Sequence, residues 1–255
     1  MSWTVAAGGL LVGVLVGLGG VGGGSLVTPV LILFGAPPSL AVGTDLLYAS
    51  GTKLLGALQH WRLRSIDLRW VVRLATGGVP GALAGSLLAG AALARVAGGE
   101  TALRHLLGLA LIGAALGTGV HEYLARARTA ATDAQSAGPS PAPAWLAAFG
   151  GVIGLLVGLT SIGSGSLLAP AMLASGLAPR RVVGTDIASA LLISMAASAV
   201  HMAMGSVDVH LALNLMIGSL PGVLIGSRLT ARVGGRPLKF LMSSLVLLSG
   251  VQLVA

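Results

Sequence analysis

The chain has no cysteine, so it holds no disulfide and no thiolate metal site, and it says nothing about redox compartment. Charge is scarce as well. Only 9% of its 255 residues are Asp, Glu, Lys or Arg, against about 25% in an ordinary soluble domain. Aromatic residues make up 4%, and the basic residues that give a net charge of +8 stand singly between apolar runs, so the basicity does not point to nucleic acid. The runs do not alternate as the strands of a membrane barrel would. The opening "MSWTVAAGGLLVG" has no positive n-region, so it reads as mature structure rather than as a signal peptide. No cofactor and no metal are expected. What the chain does have is apolar length: 55% of its residues are hydrophobic, and runs of about 20 recur from end to end. The composition predicts an all-α, polytopic integral membrane protein in a lipid bilayer.

The chain repeats itself without a gap, at the constant offset that separates Asp45 from Asp186. "GGGSLVTP" (Gly22 to Pro29) returns as "GSGSLLAP" (Gly163 to Pro170), "VGTD" (Val42 to Asp45) as Val183 to Asp186, His60 as His201, Asp67 as Asp208, and "PGALAGS" (Pro80 to Ser86) as "PGVLIGS" (Pro221 to Ser227). The division that follows is a first repeat over 1–124, a Pro/Ser/Ala-rich linker over 125–144 and a second repeat over 145–255. Each half reads as four apolar elements: 4–34, 40–60, 70–94 and 101–120, then 145–175, 182–204, 211–230 and 237–255.

The arginines orient the halves. "HWRLRSIDLR" carries Arg62, Arg64 and Arg69 where its counterpart "HMAMGSVDVH" has none, and "GLAPRR" ends in Arg180 and Arg181 where "GAPPSL" has none. Equivalent loops therefore lie on opposite faces. That requires the first element of each half to be a broken, re-entrant hairpin followed by three transmembrane helices, so that the two repeats are inverted. The cytoplasmic face then collects all the loop basic residues except Arg95 and Arg104, as the positive-inside rule demands. Both termini then fall on the outer face of the membrane. Eight full crossings, the alternative, leave basic loops on both faces.

The glycines mark the break. Val16 to Pro29 holds six, each costing up to about 1 kcal/mol in a helix interior. A helix restarting near Ser25 points bare N–H groups and a positive dipole end at the protein centre, which suits an anion. Gly22, Gly23, Gly24 and Ser25, with Gly163, Ser164, Gly165 and Ser166 from the second half, are the candidate substrate-binding segments. Helix packing alone also explains small residues, and it is the preferred reading for Gly77, Gly81 and Gly85 and for Gly218, Gly222 and Gly226. "GLGGVG" (Gly17 to Gly22) matches a dinucleotide fingerprint by spacing, but no βαβ unit surrounds it.

Asp45 and Asp186 either cap the second element of each half, together with Thr44 and Thr185, or line a cavity and carry protons. Lys53 stands mid-element, where a cation costs about 2.5–3.5 kcal/mol, and its partner in the repeat is Ser194. It either attracts the anion or pairs quietly with Asp45, eight residues earlier on the same face. His60 and His201 read as anchors at the membrane edge, Asp67 and Asp208 as turn or cap residues. Nothing has hydrolase or metal-ligand spacing, so the chain does not read as an enzyme.

The paired "GGGSLVTP"/"GSGSLLAP" and "AVGTD"/"VVGTD" motifs give the chain a resemblance to the TauE/SafE sulfite exporter family, also called the toluene-sulfonate uptake permease family, over all but the linker. The resemblance implies export of small sulfur oxyanions such as sulfite, thiosulfate or organosulfonates, with proton coupling open. Asp45 and Asp186 stand where the family is expected to have a small uncharged residue more often. The expected function is secondary transport by alternating access about a midplane anion site, with Lys53, Thr44 and Thr185 beside the glycine segments. A passive anion channel is the alternative, and a homodimer is left open.

Overall fold

The computed structural model describes residues 8–10, 12–14, 27–95, 99, 101–113, 116, 143–162, 168, 172, 177–233, 244, 247–248 and 250–254. Among these the protein is all-helical, with no strand. The helices are α1 (Val27–Leu33), α2 (Pro38–Arg62), α3 (Leu68–Arg95), α4 (Thr101–Gly113), α5 (Pro143–Thr160), α6 (Pro179–Ala203) and α7 (Val209–Val233), with further helical residues at 8–10, 12–14 and 250–254. α2 and α6 each begin on a proline, after Pro37 and Ala178, where the missing N–H costs nothing and φ is already helical. Asp45 and Asp186 lie about two turns inside these helices, so neither is the cap residue that its place in the sequence suggested. The turns 63–67 and 204–208 are built alike. Ser65 and Ser206 donate their main-chain N–H to the carbonyls of His60 and His201, and Arg64 and Gly205 take left-handed φ values of 50° and 70°.

Small residues decide how the helices pack. Gly77, Gly81 and Gly85 on α3 lie directly against the main chain of Ala147, Gly151 and Leu155 on α5, and Gly150, Gly154 and Gly158 lie in return against Leu74, Gly78 and Ala82. The numbers rise together, so α3 and α5 run parallel, backbone to backbone, as the stripe of glycines predicts. The same pattern recurs between the repeat counterparts of these residues, with Gly9 and Gly13 against Leu215 and Ser219 of α7. Pro80 and Pro221 lie inside continuous helices.

α2 and α6 cross the other way. Gly43 meets Ser206, Gly56 meets Ile187, and Gly184 meets Ser65, so the start of each helix faces the end of the other. α5 begins beside the N-terminal half of α3. α6 also begins at that end, where Gly184 touches Ser65 and Arg181 reaches Asp67. Both ends of the segment from Pro143 to Pro179 therefore lie at the Leu68 end of α3. The first helix of that segment stops at Thr160, and Ser161 follows with φ 60°. The break expected at Gly22 to Ser25 and the residues Gly163 to Ser166 lie outside the described residues, as do residues 125–142 of the expected 125–144 linker, whose last two residues, Pro143 and Ala144, instead begin α5.

The exterior is apolar over much of its surface, around a core that is apolar but carries a buried polar set. Leu54, Leu55, Leu58, Val72, Leu87, Leu88, Val152, Ile217 and Ile225 are exposed, while Asp45, Lys53, Asp186, His201 and a set of Ser and Thr hydroxyls are buried. Such an apolar exterior is what a monomeric soluble protein avoids. By length and composition Leu68–Ala91 and Arg181–Ala203 are apolar enough to cross a membrane, and Thr101–Gly113, Ala144–Thr160 and Val209–Val223 are shorter apolar helices. α2 spans about 37 Å but carries Asp45 and Lys53.

The packing makes a paired prediction. A Cβ added at Gly154 would fall on the Gly78 carbonyl, whereas one at Gly113 meets nothing within 4 Å. Gly154→Ala is expected to destabilise by about 1–3 kcal/mol, and Gly113→Ala to be neutral or stabilising by up to about 1 kcal/mol. Thermal unfolding of the purified variants in detergent measures both.

Candidate functional site

Where α2 and α6 cross, Lys53 reaches over and donates a hydrogen bond from Nζ to Ser194 Oγ at 2.9 Å. These two residues are 141 apart, so each occupies the other's position in the repeat. A residue that touches its own counterpart lies on the axis that exchanges the halves. Lys53 is therefore central as well as buried, at 7% exposure.

Two carboxylates flank it, and Lys53 interacts electrostatically with both Asp45 and Asp186. Because α2 and α6 are antiparallel and each aspartate lies near the start of its helix, the two sit toward opposite ends of the crossing. Their surroundings differ. Asp45 is fully buried, and its Oδ2 accepts hydrogen bonds from Thr28 Oγ1 on α1 at 2.5 Å and from Ser161 Oγ, just beyond α5, at 2.9 Å. One oxygen thus ties three segments from both halves. Ser161 makes this bond from its left-handed conformation, which costs a non-glycine residue about 1–2 kcal/mol. Asp186 is 9% exposed, and its Oδ1, like Oδ1 of Asp45, is buried with no hydrogen-bond partner among the described residues. A buried carboxylate oxygen without a donor calls for an explanation, and each aspartate presents one.

The residues beside the aspartates hold the crossing together. Thr44 Oγ1 accepts the main-chain N–H of Asp208 at 3.0 Å, and Thr185 Oγ1 accepts that of Asp67 at 2.9 Å. Each threonine thereby joins its helix to the turn of the other half. Asp67 and Asp208 act as turn and cap residues, as their sequence positions suggested: their Oδ1 atoms accept the N–H groups of Arg69 and Leu211. Asp67 also takes Arg181 Nη1 at 3.2 Å, an ion pair near the surface worth little by itself. Leu40 holds the position equivalent to Arg181.

The two histidines part company. His201 is 1% exposed rather than lying at an interface, and its Nε2 donates to the Gly158 carbonyl at 3.0 Å in the last turn of α5, where a donor satisfies a carbonyl that the helix leaves open. Its Nδ1 faces Ser206 Oγ at 3.0 Å, and His60 Nδ1 faces Ser65 Oγ at 2.7 Å. His60 is half-buried.

Of the residues singled out in the sequence, the structure brings together Lys53, Asp45 and Asp186 and puts Thr44 and Thr185 in cross-half ties. Gly22, Gly23, Gly24, Ser25, Gly163, Ser164, Gly165 and Ser166 lie outside the described residues. Thr28 and Ser161 escaped sequence reasoning, because a lone hydroxyl in a run of small residues gives no sign of a partner 17 or 116 positions away. Ser194 was visible only as the counterpart of Lys53.

The family model described as Sulfite exporter TauE/SafE matches residues 5–253. The "Probable membrane transporter protein YjnA" of Bacillus subtilis (strain 168) is 44% identical over 255 residues, covering all of both chains. The "Probable membrane transporter protein YunE" of the same organism is 29% identical over 263 residues, covering 96% of this chain and 94% of its own. No solved structure matches.

The Asp45 tie is open to a double-mutant cycle. Thr28→Val and Ser161→Ala are each expected to lower stability by about 1.5–3 kcal/mol, the range for a hydrogen bond to a charged group. Together they should cost more than the sum, because the pair leaves Oδ2 bare. Thermal unfolding in detergent reads the coupling.

Proposed function

The chain belongs to the Sulfite exporter TauE/SafE family, and on that premise we propose that it is a secondary membrane transporter that exports small sulfur oxyanions such as sulfite, thiosulfate or an organosulfonate. The observation that carries the proposal is Lys53: one ammonium, buried on the axis relating the halves and bonded to its own counterpart. An intramembrane cation at such a place is costly and, by default, functional. It supplies the positive charge that draws a small anion to the centre of the protein. The glycine segments Gly22 to Ser25 and Gly163 to Ser166 complete the site in this reading, offering main-chain N–H groups from two helix starts.

The proposed topology is two inverted repeats, 1–124 and 145–255, each a re-entrant hairpin followed by three crossings of the bacterial inner membrane, with both termini periplasmic. Three features support it. α2 and α6 run antiparallel although they occupy equivalent places in the repeat. The segment from Pro143 to Pro179 has both ends at the Leu68 end of α3. That end also gathers Arg62, Arg64, Arg69, Arg180 and Arg181, as a cytoplasmic face would.

Alternating access then amounts to rocking one half against the other about the Lys53–Ser194 contact, which lies on the axis and moves least. Thr44 and Thr185 keep α2 and α6 docked to the turns of the opposite half. Asp45 and Asp186 are the candidate proton-coupling groups, since an ionised carboxylate close to an anion site opposes binding and a protonated one does not.

Sulfite counterflow in proteoliposomes tests the function. It is expected to saturate and to respond to a pH gradient, and Lys53→Met should abolish it while the protein still inserts. Flux that follows voltage alone would mean a passive anion channel. Tryptophan at Ser25 or Ser166 should also stop sulfite movement without loss of insertion. With no native cysteine, thiols placed singly at Ser39 and Ala178 should label from opposite sides of the membrane. Labelling from one side would overturn the inverted topology.

A further inference from the structure

The two aspartates are equivalent in the repeat but not in their surroundings, and the difference can be traced to four residues. Asp45 Oδ2 is held by Thr28 and Ser161. The repeat counterparts of these two are Ala169 and Gly20, which have no hydroxyl. The counterparts of the two positions that hold Asp45 therefore offer no side-chain donor to Asp186. Oδ1 is without a partner among the described residues in both aspartates, but Asp45 is 0% exposed with two donors on its Oδ2, whereas Asp186 keeps 9% exposure. Lys53, acting on both carboxylates, balances only one of them.

We propose that Asp186 carries the exchangeable proton of the transport cycle, and that Asp45 is a positioning residue that stays ionised as the fixed counter-ion of Lys53. The proposal rests on the proton-coupled reading above and assigns its coupling residue. The proton adds to a carboxylate oxygen of Asp186 and takes that side chain from −1 to 0. The buried cluster of Lys53, Asp45 and Asp186 then passes from a net −1 to neutral and ceases to repel an anion. When the proton leaves, the negative charge returns and the anion is disfavoured.

The groups around Asp186 are consistent with this assignment. On α2 the charged neighbour acting on it is Lys53. α5 has no titratable side chain. On α3 the charges are Arg69, Arg73 and Arg95, of which Arg69 is exposed and Arg73 only partly buried. On α6 itself Arg180 and Arg181 lie in the first turn, Arg181 bonded to Asp67, and His201 lies at the far end bonded to Gly158. Asp186 sits about two turns into α6, toward the Arg-rich end of the molecule.

Infrared difference spectroscopy of the reconstituted protein during acidification tests the assignment without any substrate. The carbonyl stretch of a buried protonated carboxylic acid should grow in wild type, be lost in Asp186→Asn and persist in Asp45→Asn. The Thr28→Val/Ser161→Ala double variant, which strips the donors from Asp45 alone, should leave the pH at which the band appears unchanged, and so covers a failure of Asp45→Asn to fold; a shift of that pH would overturn the proposal. Asp186→Glu, which keeps the carboxyl, should move the pH at which the band appears, and covers a failure of Asp186→Asn. Loss of the band in Asp45→Asn with retention in Asp186→Asn, or retention in both, overturns the proposal. In proteoliposomes Asp186→Asn is expected to lose the response of sulfite flux to a pH gradient. A wild type that yields the Asp186 band yet moves no sulfite would refute the substrate reading and leave the proton assignment standing.

Discussion

A lysine ammonium buried where two antiparallel helices cross sets the terms for everything around it. Removing such a group from water costs several kcal/mol even after relaxation, and only nearby negative charge and hydrogen-bond acceptors offset that. Lys53 finds a hydroxyl on the facing helix and carboxylates on either side. Those needs explain why α2 and α6, alone among the long described helices, combine apolar outer faces with a buried set that includes Asp45, Lys53, Asp186, Ser189 and Ser194. They also explain why the crossing is tied at both ends by a threonine hydroxyl accepting a main-chain N–H from the other half. The polar centre needs fixed geometry, since a carboxylate displaced from the ammonium would be left as an uncompensated buried charge.

Around that centre the packing is made by backbone. α3 and α5 touch through glycines on both sides, with carbonyl oxygens where side chains would normally stand. Close contact of this kind leaves little freedom to slide, so the α3/α5 pair is suited to move as one body, and the helical residues at 8–10 and 12–14 form the matching pair with α7. The polar contacts, by contrast, need not match. Arg181 binds Asp67 at one end of the crossing, while in the other half the position equivalent to Arg181 is held by Leu40. Symmetry survives in the scaffold and is broken in the charges.

Much of this could be read from the amino acids because it repeats. The constant offset between the two copies, the glycine stripes on α3 and α7, the turn roles of Asp67 and Asp208, and the oddity of Lys53 all rest on spacing within a short stretch or between one copy and the other. What escaped was set by tertiary contact. Asp45 beside "GT" looks like a helix cap until the helix is found to start at Pro38. Thr28 and Ser161 are single hydroxyls whose importance comes from one shared oxygen. His201 follows an apolar run and so resembles an interfacial residue, yet it is buried by the end of α5, a different helix that begins far back in the chain at Pro143.

The contact between Lys53 and Ser194 has a bearing on how such a chain could arise. In a symmetric pair of separate, identical halves, any residue on the axis meets a copy of itself, and a lysine there would set two ammonium groups against each other. Joining the halves into one polypeptide removes that restriction, because each copy can then change alone. A single lysine at the heart of the molecule, facing a serine as its counterpart, is thus a trait closed to identical halves, and its acquisition would have made the duplication hard to undo.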